Sequence, residues 1–139
     1  MNTIKARDIY MGNESERFML PHIRNVLLNS SIEISSDSYS VFDYYNQDKT
    51  ICVELKTRNC RMATYPTTMI PLSKIRKCTD DNVQYYFFFR FENGIKYIRY
   101  NKDLFNTFEI KVGGRNDRGY NEYNDYVYIP VNKCITLNV

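Results

Sequence analysis

The 139-residue sequence is short of several things that would each announce a function. It has a single histidine, His22, and four cysteines at 52, 60, 78 and 134 that form no C-x-x-C pair. Four-ligand zinc sites draw on paired Cys or His at short spacing, so no zinc is expected and the cysteines read as small core fillers or free thiols. One histidine also counts against the paired-histidine metal site that tyrosine-nucleophile nicking chemistry uses, although 13 tyrosines are present. No apolar run approaches the roughly 18 residues of a membrane span, and MNTIKARDIY carries no apolar leader core. An intracellular protein that does not enter a membrane is expected. Ala, Gly and Pro total 11 residues, whereas Asn, Ile, Lys, Tyr and Phe total 58. The first set has GC-rich codons and the second AT-rich ones, which points to an AT-rich genome, a virus or phage being one such source.

What the chain does have is aromatic surface. Phe and Tyr make up 15% of it and recur in strand-like runs, enough to fold a chain whose apolar share is otherwise low. Its length fits one domain, taken as residues 1–139. The net charge of +3 is small, but its distribution is uneven. Residues 1–55 hold 5 basic and 8 acidic side chains, residues 56–79 hold 6 basic and no acid, and the remainder balances at 8 against 8. An acidic segment running into a basic one is the order expected where cation-binding carboxylates lie beside phosphate-binding groups.

Asn13 and Glu16 form a capping-box pair opening a helix whose apolar stripe runs through Leu20, Ile23 and Leu27. Pro21 is expected to kink or split that helix near residue 20. Strand-like segments follow at 31–35, 39–46 and 51–58, the last two joined by a hairpin-length loop at 47–49. Residues 59–70 read as a polar loop, 71–78 as a short helix, and QYYFFFRF at 84–91 as a strand. Asn93-Gly94 signals a type I′ turn into 95–100, and weaker strands are expected at TFEIKV and YVYIPV around a Gly-rich loop. The core is therefore taken as about 13–100, with β additions over 101–139.

Period-2 alternation in ICVELKTR puts Ile51, Val53 and Leu55 on one face and Cys52, Glu54 and Lys56 on the other. If Asn46 closes opposite Lys49, Asp43 faces Cys52 and lies diagonal to Glu54, near enough for the two carboxylates to share a cation. A slip of one residue would turn Asp43 away. Hydrolysis of a phosphodiester needs a hard divalent ion to neutralise non-bridging oxygens and to acidify water, and Mg²⁺ favours carboxylate oxygens. A neighbouring Lys can orient or deprotonate the water, or stabilise the charge that develops. Glu16, with Glu14 beside it, could add a further carboxylate or serve only as a helix cap. A second E-x-K, Glu109 and Lys111, lacks the facing acid, the hairpin and the basic continuation.

These residues resemble the PD-(D/E)XK, or restriction-endonuclease-like, nuclease superfamily over about two-thirds of the chain. The signature acid falls on Asp43, the E-x-K on Glu54 and Lys56, and the first-helix acid on Glu16; Phe42 stands where the name-giving Pro would be. GNESER, read as G-x-x-x-E-R, is similar to the same region of archaeal-type Holliday junction resolvases. The resemblance implies an α/β (α+β) fold with an αβββαβ core and a central mixed sheet flanked by helices. It also implies a Mg²⁺-dependent endonuclease, with Mn²⁺ able to substitute, acting on DNA and selective for branched forms. Asp43, Glu54 and the Leu55 carbonyl would hold the metal and Lys56 would assist the water. Arg58, Arg61, Lys74, Lys77 and Arg118 would meet phosphates, with Lys74 or Lys77 reaching the site, in a two-fold dimer. The rival reading is a non-catalytic nucleic-acid module, either an inactive nuclease fold or an OB-like barrel stacking bases on its aromatic strands.

Overall fold

A computed structural model describes residues 13–37, 39–115 and 122–137. The first helix, α1 (Glu14–Val26), starts where the capping residues place it. The Asn13 side chain accepts from the Glu16 N–H at 2.9 Å, and the Glu16 carboxylate accepts from the Asn13 N–H at 3.0 Å. Its buried stripe is Met19 and Ile23, with Leu20, Val26 and Leu27 partly covered. Contrary to expectation, the helix runs unbroken through Pro21. Pro21 and Arg17, one turn before it, both lie on the exposed side, where a helix carbonyl tilts outward to water and leaves room for the ring.

A six-stranded mixed sheet has the order β1 (Glu33–Ile34), β2 (Tyr44–Tyr45), β3 (Ile51–Thr57), β5 (Gln84–Phe91), β6 (Gly94–Arg99), β9 (Ile135–Leu137). Only β3 and β5 pair in parallel; the remaining pairs are antiparallel. The β2–β3 register differs from the expected one. Tyr44 pairs with Val53 and Tyr45 with Cys52, so the loop spans 47–50 and the pairing is shifted by two residues. The Asn46 side chain fills that loop, bonding Asp48, Thr50 and the Ile51 N–H. A shift of two preserves the face, so Asp43 comes level with Glu54 instead of diagonal to it.

Both faces of this sheet are covered, which is why β3 and β5 read as near-continuous apolar runs. Ile51, Val53, Leu55 and Phe88 pack with Met19 and Ile23 beneath α1. Cys52, Phe87 and Phe89 pack on the other face with Ile70, Val127 and Ile129. Those last three come from a second sheet, ordered β4 (Thr67–Pro71), β8 (Glu122–Pro130), β7 (Glu109–Arg115). The strand β4 lies in what reads from sequence as loop; Thr68 and Ile70 supply its buried alternation. The following helix, α2 (Leu72–Ile75), is a single turn. Another one-turn helix, α3 (Lys102–Phe105), is capped by Asn101. The strands after residue 100 join both sheets: β9 pairs with β6 at the edge of the main sheet and β8 pairs with β4.

The hairpin at 91–94 also differs in detail. Glu92 and Asn93 form its turn and neither has positive φ, so it is not type I′. Gly94 opens β6 at φ 158°, where a Cβ would stand 2.9 Å from Met62 Cε. An open, two-layered sheet arrangement excludes the OB-like barrel. All four cysteines are free, Cys60 being the one that is not buried, and no described helix is long and apolar enough to cross a membrane.

Candidate active site

The carboxylate end of the molecule is built by β3. It is an interior strand, so Glu54 does not sit on a polar outer face; it is only 5% exposed. The Asp43 Oδ2 accepts from the Leu55 N–H at 2.7 Å, which fixes that carboxylate at the point where β2 stops pairing. N–H and C=O of one strand residue point to the same edge, so the Leu55 carbonyl also faces the Asp43 side. Two ammonium groups flank Glu54. Lys56 Nζ lies 3.5 Å from Oε2 and Lys74 Nζ, from α2, 3.3 Å from Oε1. Lys74 is further held by the Val41 carbonyl and sits 5.4 Å from the Phe42 ring centroid.

Electrostatically the cluster is unbalanced. Glu54 Oε1 is buried and, among the described residues, meets the Lys74 ammonium at 3.3 Å without well-formed hydrogen-bond geometry. Burial first, and the negative Asp43 second, push the Glu54 carboxyl up to about 7 from 4.5 in spite of both lysines. Asp43 is raised too, mainly by burial, against the pull of the Leu55 N–H, Lys74 and Lys56. Glu16 is raised by burial and by Asp43, opposed by its bond to Asn13. It is therefore both the capping-box residue and a neighbour of the carboxylate pair. Glu14 points elsewhere, 3.1 Å from Arg90.

Several positioning residues carry no sequence signal. The Tyr44 hydroxyl donates to the Glu16 carbonyl at 2.7 Å, and Ser15 and Thr57 share a 2.6 Å hydrogen bond, which together seat the start of α1 on β2 and β3. Ser35 holds the Phe42–Asp43 segment from the other side: its hydroxyl donates to the Phe42 carbonyl at 2.5 Å and its N–H to the Asp43 carbonyl at 2.8 Å. The Phe42 N–H donates to the Tyr45 hydroxyl at 3.1 Å, a bond that proline at this position could not make.

The basic residues separate into three groups. Lys74 joins the carboxylates. Arg58 turns inward, donating to Thr68 Oγ1 at 3.2 Å and to the Met69 carbonyl, and so clamps β4 to β3. Arg61 and Lys77 are exposed, and Arg118 lies outside the described residues. The second E-x-K is a solvent-facing pair, with Glu109 and Lys111 3.6 Å apart and side chains 66% and 54% exposed.

A protein-family model described as "Phage putative PDDEXK endonuclease" matches residues 22–137. The chain belongs to this PD-(D/E)XK family. The match contains Asp43, Glu54, Lys56 and Lys74 but begins after Glu16. No curated protein and no solved structure gives a significant match. Among the described residues no group of three or more His, Cys, Asp or Glu is placed to hold a metal. Mg²⁺ does not require one, since it is commonly held by one or two carboxylates with several waters. The donor set of this PD-(D/E)XK chain suits such a hard ion: two carboxylates, both raised by burial, beside a backbone carbonyl.

Proposed function

We propose that the protein is a Mg²⁺-dependent endonuclease that hydrolyses DNA phosphodiesters and prefers branched DNA. The observation that carries this reading is the Asp43–Glu54 pair: Glu54, buried on the strand that also presents Lys56, is pushed up by burial and by the neighbouring Asp43 in spite of the lysines beside it. Asp43, Glu54 and the Leu55 carbonyl would hold Mg²⁺, which when bound neutralises non-bridging phosphate oxygens and acidifies water. Lys56, its ammonium at the mouth of the pair, orients the attacking water and stabilises charge developing on the phosphorus oxygens. Lys74 pairs with Glu54 in the free protein and would turn to the scissile phosphate when substrate binds. Glu16 adds negative potential beside Asp43 and is assigned a secondary part.

The preference for branched DNA rests on the likeness of GNESER to archaeal-type Holliday junction resolvases and on a two-fold dimer presenting two sites. Arg61, Lys77 and Arg118 supply phosphate contacts, while Arg58 contributes by holding β4 in place. The test is incubation with linear, nicked and four-way DNA, with and without Mg²⁺ or Mn²⁺. Metal-dependent cutting that peaks on the four-way form is expected; no cutting of any DNA with either ion rejects the reading.

A further inference from the structure

The strand that carries Glu54 and Lys56 leads on to a recess. Even-numbered side chains of β3 share one face, so Glu54, Lys56 and Arg58 stand in line on it. Arg58 borders a cavity of about 540 Å³, within the range of small-molecule sites. Four residue steps of extended backbone separate Glu54 from Arg58, roughly 13 Å. Its walls are largely aromatic and apolar, from Tyr65, Met69, Phe91 and Tyr128, and Asn59 adds a polar amide. Tyr65 is 63% exposed, a large ring that the core does not use.

The surrounding loop is tied down at three points. The Glu92 N–H donates to the Cys60 carbonyl at 3.0 Å and the Val131 N–H to the Pro66 carbonyl at 2.9 Å. Met62 N–H donates to the Asn93 side chain at 2.8 Å. The recess is thus formed before any ligand arrives. Apart from Phe91 and Tyr128, its walls come from residues 56–79, which contain six cationic side chains and no acid. A polyanion is drawn to the exposed Arg61, Arg76 and Lys77, but the cavity's own cation, Arg58, is taken up by Thr68 and the Met69 carbonyl, so the aromatic-walled recess does not suit a phosphate. It suits a flat heteroaromatic ring with a hydrogen-bonding edge.

We propose that this cavity is a nucleobase subsite, taking one unstacked base of the bound DNA against the Tyr65 ring with the Asn59 amide at its edge. In taking DNA as ligand the proposal rests on the nuclease reading. It adds that the bound strand is locally unpaired near the carboxylates, which costs less at a junction's exchange point, where stacking is already interrupted, than inside a continuous duplex.

The test compares two single strands of equal length and charge, one of thymidine nucleotides and one fully abasic, binding to the full chain in EDTA. Base–aromatic stacking contributes about 1–3 kcal/mol per base, so the abasic strand should bind roughly tenfold more weakly. Tyr65→Ala should remove most of that difference by weakening the thymidine strand alone, and Tyr65→Phe should keep it. The Cys60 thiol in the cavity wall gives a second readout. At matched occupancy the thymidine strand should slow its alkylation and the abasic strand should not. Equal affinities, a Tyr65→Ala effect of the same size on both strands, or no protection of Cys60 overturns the subsite. Cutting of four-way DNA with Mg²⁺ is followed in parallel. Cutting together with equal affinities leaves the nuclease reading standing and removes only the subsite. Tyr65-dependent discrimination without cutting does the reverse.

Discussion

Glu54 is raised to about 7 although two ammonium groups stand within 3.5 Å of it, so burial and Asp43 together outweigh both lysines. The sign of the consequence follows from proton counting. Between pH 4.5 and about 7 the folded chain keeps a proton on Glu54 that the unfolded chain has lost, so stability falls as pH rises through that window. Urea denaturation in EDTA should show this decline, up to about 3 kcal/mol at 1.36 kcal/mol per unit, and Glu54→Gln should flatten it. A decline unaltered in Glu54→Gln would assign it to another group. Mg²⁺ should oppose the fall, because it binds the ionised pair. Asp43→Asn keeps an acceptor for the Leu55 N–H while removing the repulsion. It should therefore raise the melting temperature without metal and still lose cutting. Glu54→Ala should lower cutting by at least about 10²-fold, as loss of several kcal/mol of metal-based stabilisation requires, with DNA affinity largely kept. Gel assays alongside binding titrations separate the two effects, and unchanged turnover would remove Glu54 from the mechanism.

Among the elements, Arg58 and Arg61 lie three residues apart and are expected to behave differently. Arg58→Ala removes the clamp on β4, two bonds from a charged donor, and should cost about 2 kcal/mol in denaturant unfolding while leaving the salt dependence of DNA binding alone. Arg61→Ala should leave stability within about 0.5 kcal/mol and flatten the slope of log K against log salt by about one unit. Identical slopes for wild type and Arg61→Ala would make this segment an ordinary solvated face. The same contrast explains what was legible in the sequence. Alternation in 51–56 reveals which residues share a face, because the period of two is set by the strand itself, and the capping residues mark the start of α1. The β2–β3 register lies two residues from the one that loop length suggests because it is set by the Asn46 side chain inside the loop, an interaction between neighbours that no periodicity records. Strand β4 reads as loop because it is only five residues long, lies among Thr and Pro, and gains its partner β8 from far along the chain. Pro21 signalled a break that did not occur, since the ring falls on the solvent side. Tyr44, Ser35 and Ser15 position the site through contacts that only the folded chain creates.

At the scale of the whole molecule, the described residues contain one buried carboxylate pair, whereas a duplex or a junction offers two strands to cut. One protomer would have to release and rebind between cuts, while a two-fold dimer would place a second site opposite the first. Mixing subunits distinguishes these routes. Wild type and Glu54→Ala, unfolded together and refolded, should give a population in which mixed dimers carry one competent site. On four-way DNA in a plasmid, those mixed dimers should leave a single nick where the wild-type dimer leaves paired cuts. The nicked fraction should therefore rise and then fall as the proportion of Glu54→Ala increases. A working monomer would instead lose both products in proportion to the wild-type fraction, with no excess of nicks. Sedimentation at the assay concentration provides the independent check, because a dimer is required for the first pattern. The dimer also bears on substrate choice: two basic segments held at a fixed angle can favour a branched substrate over a linear one, whereas a single segment meets the same phosphates on either. Equal affinity for both forms in a protein that sediments as a monomer would remove the branched-DNA preference and leave a nuclease without shape selection.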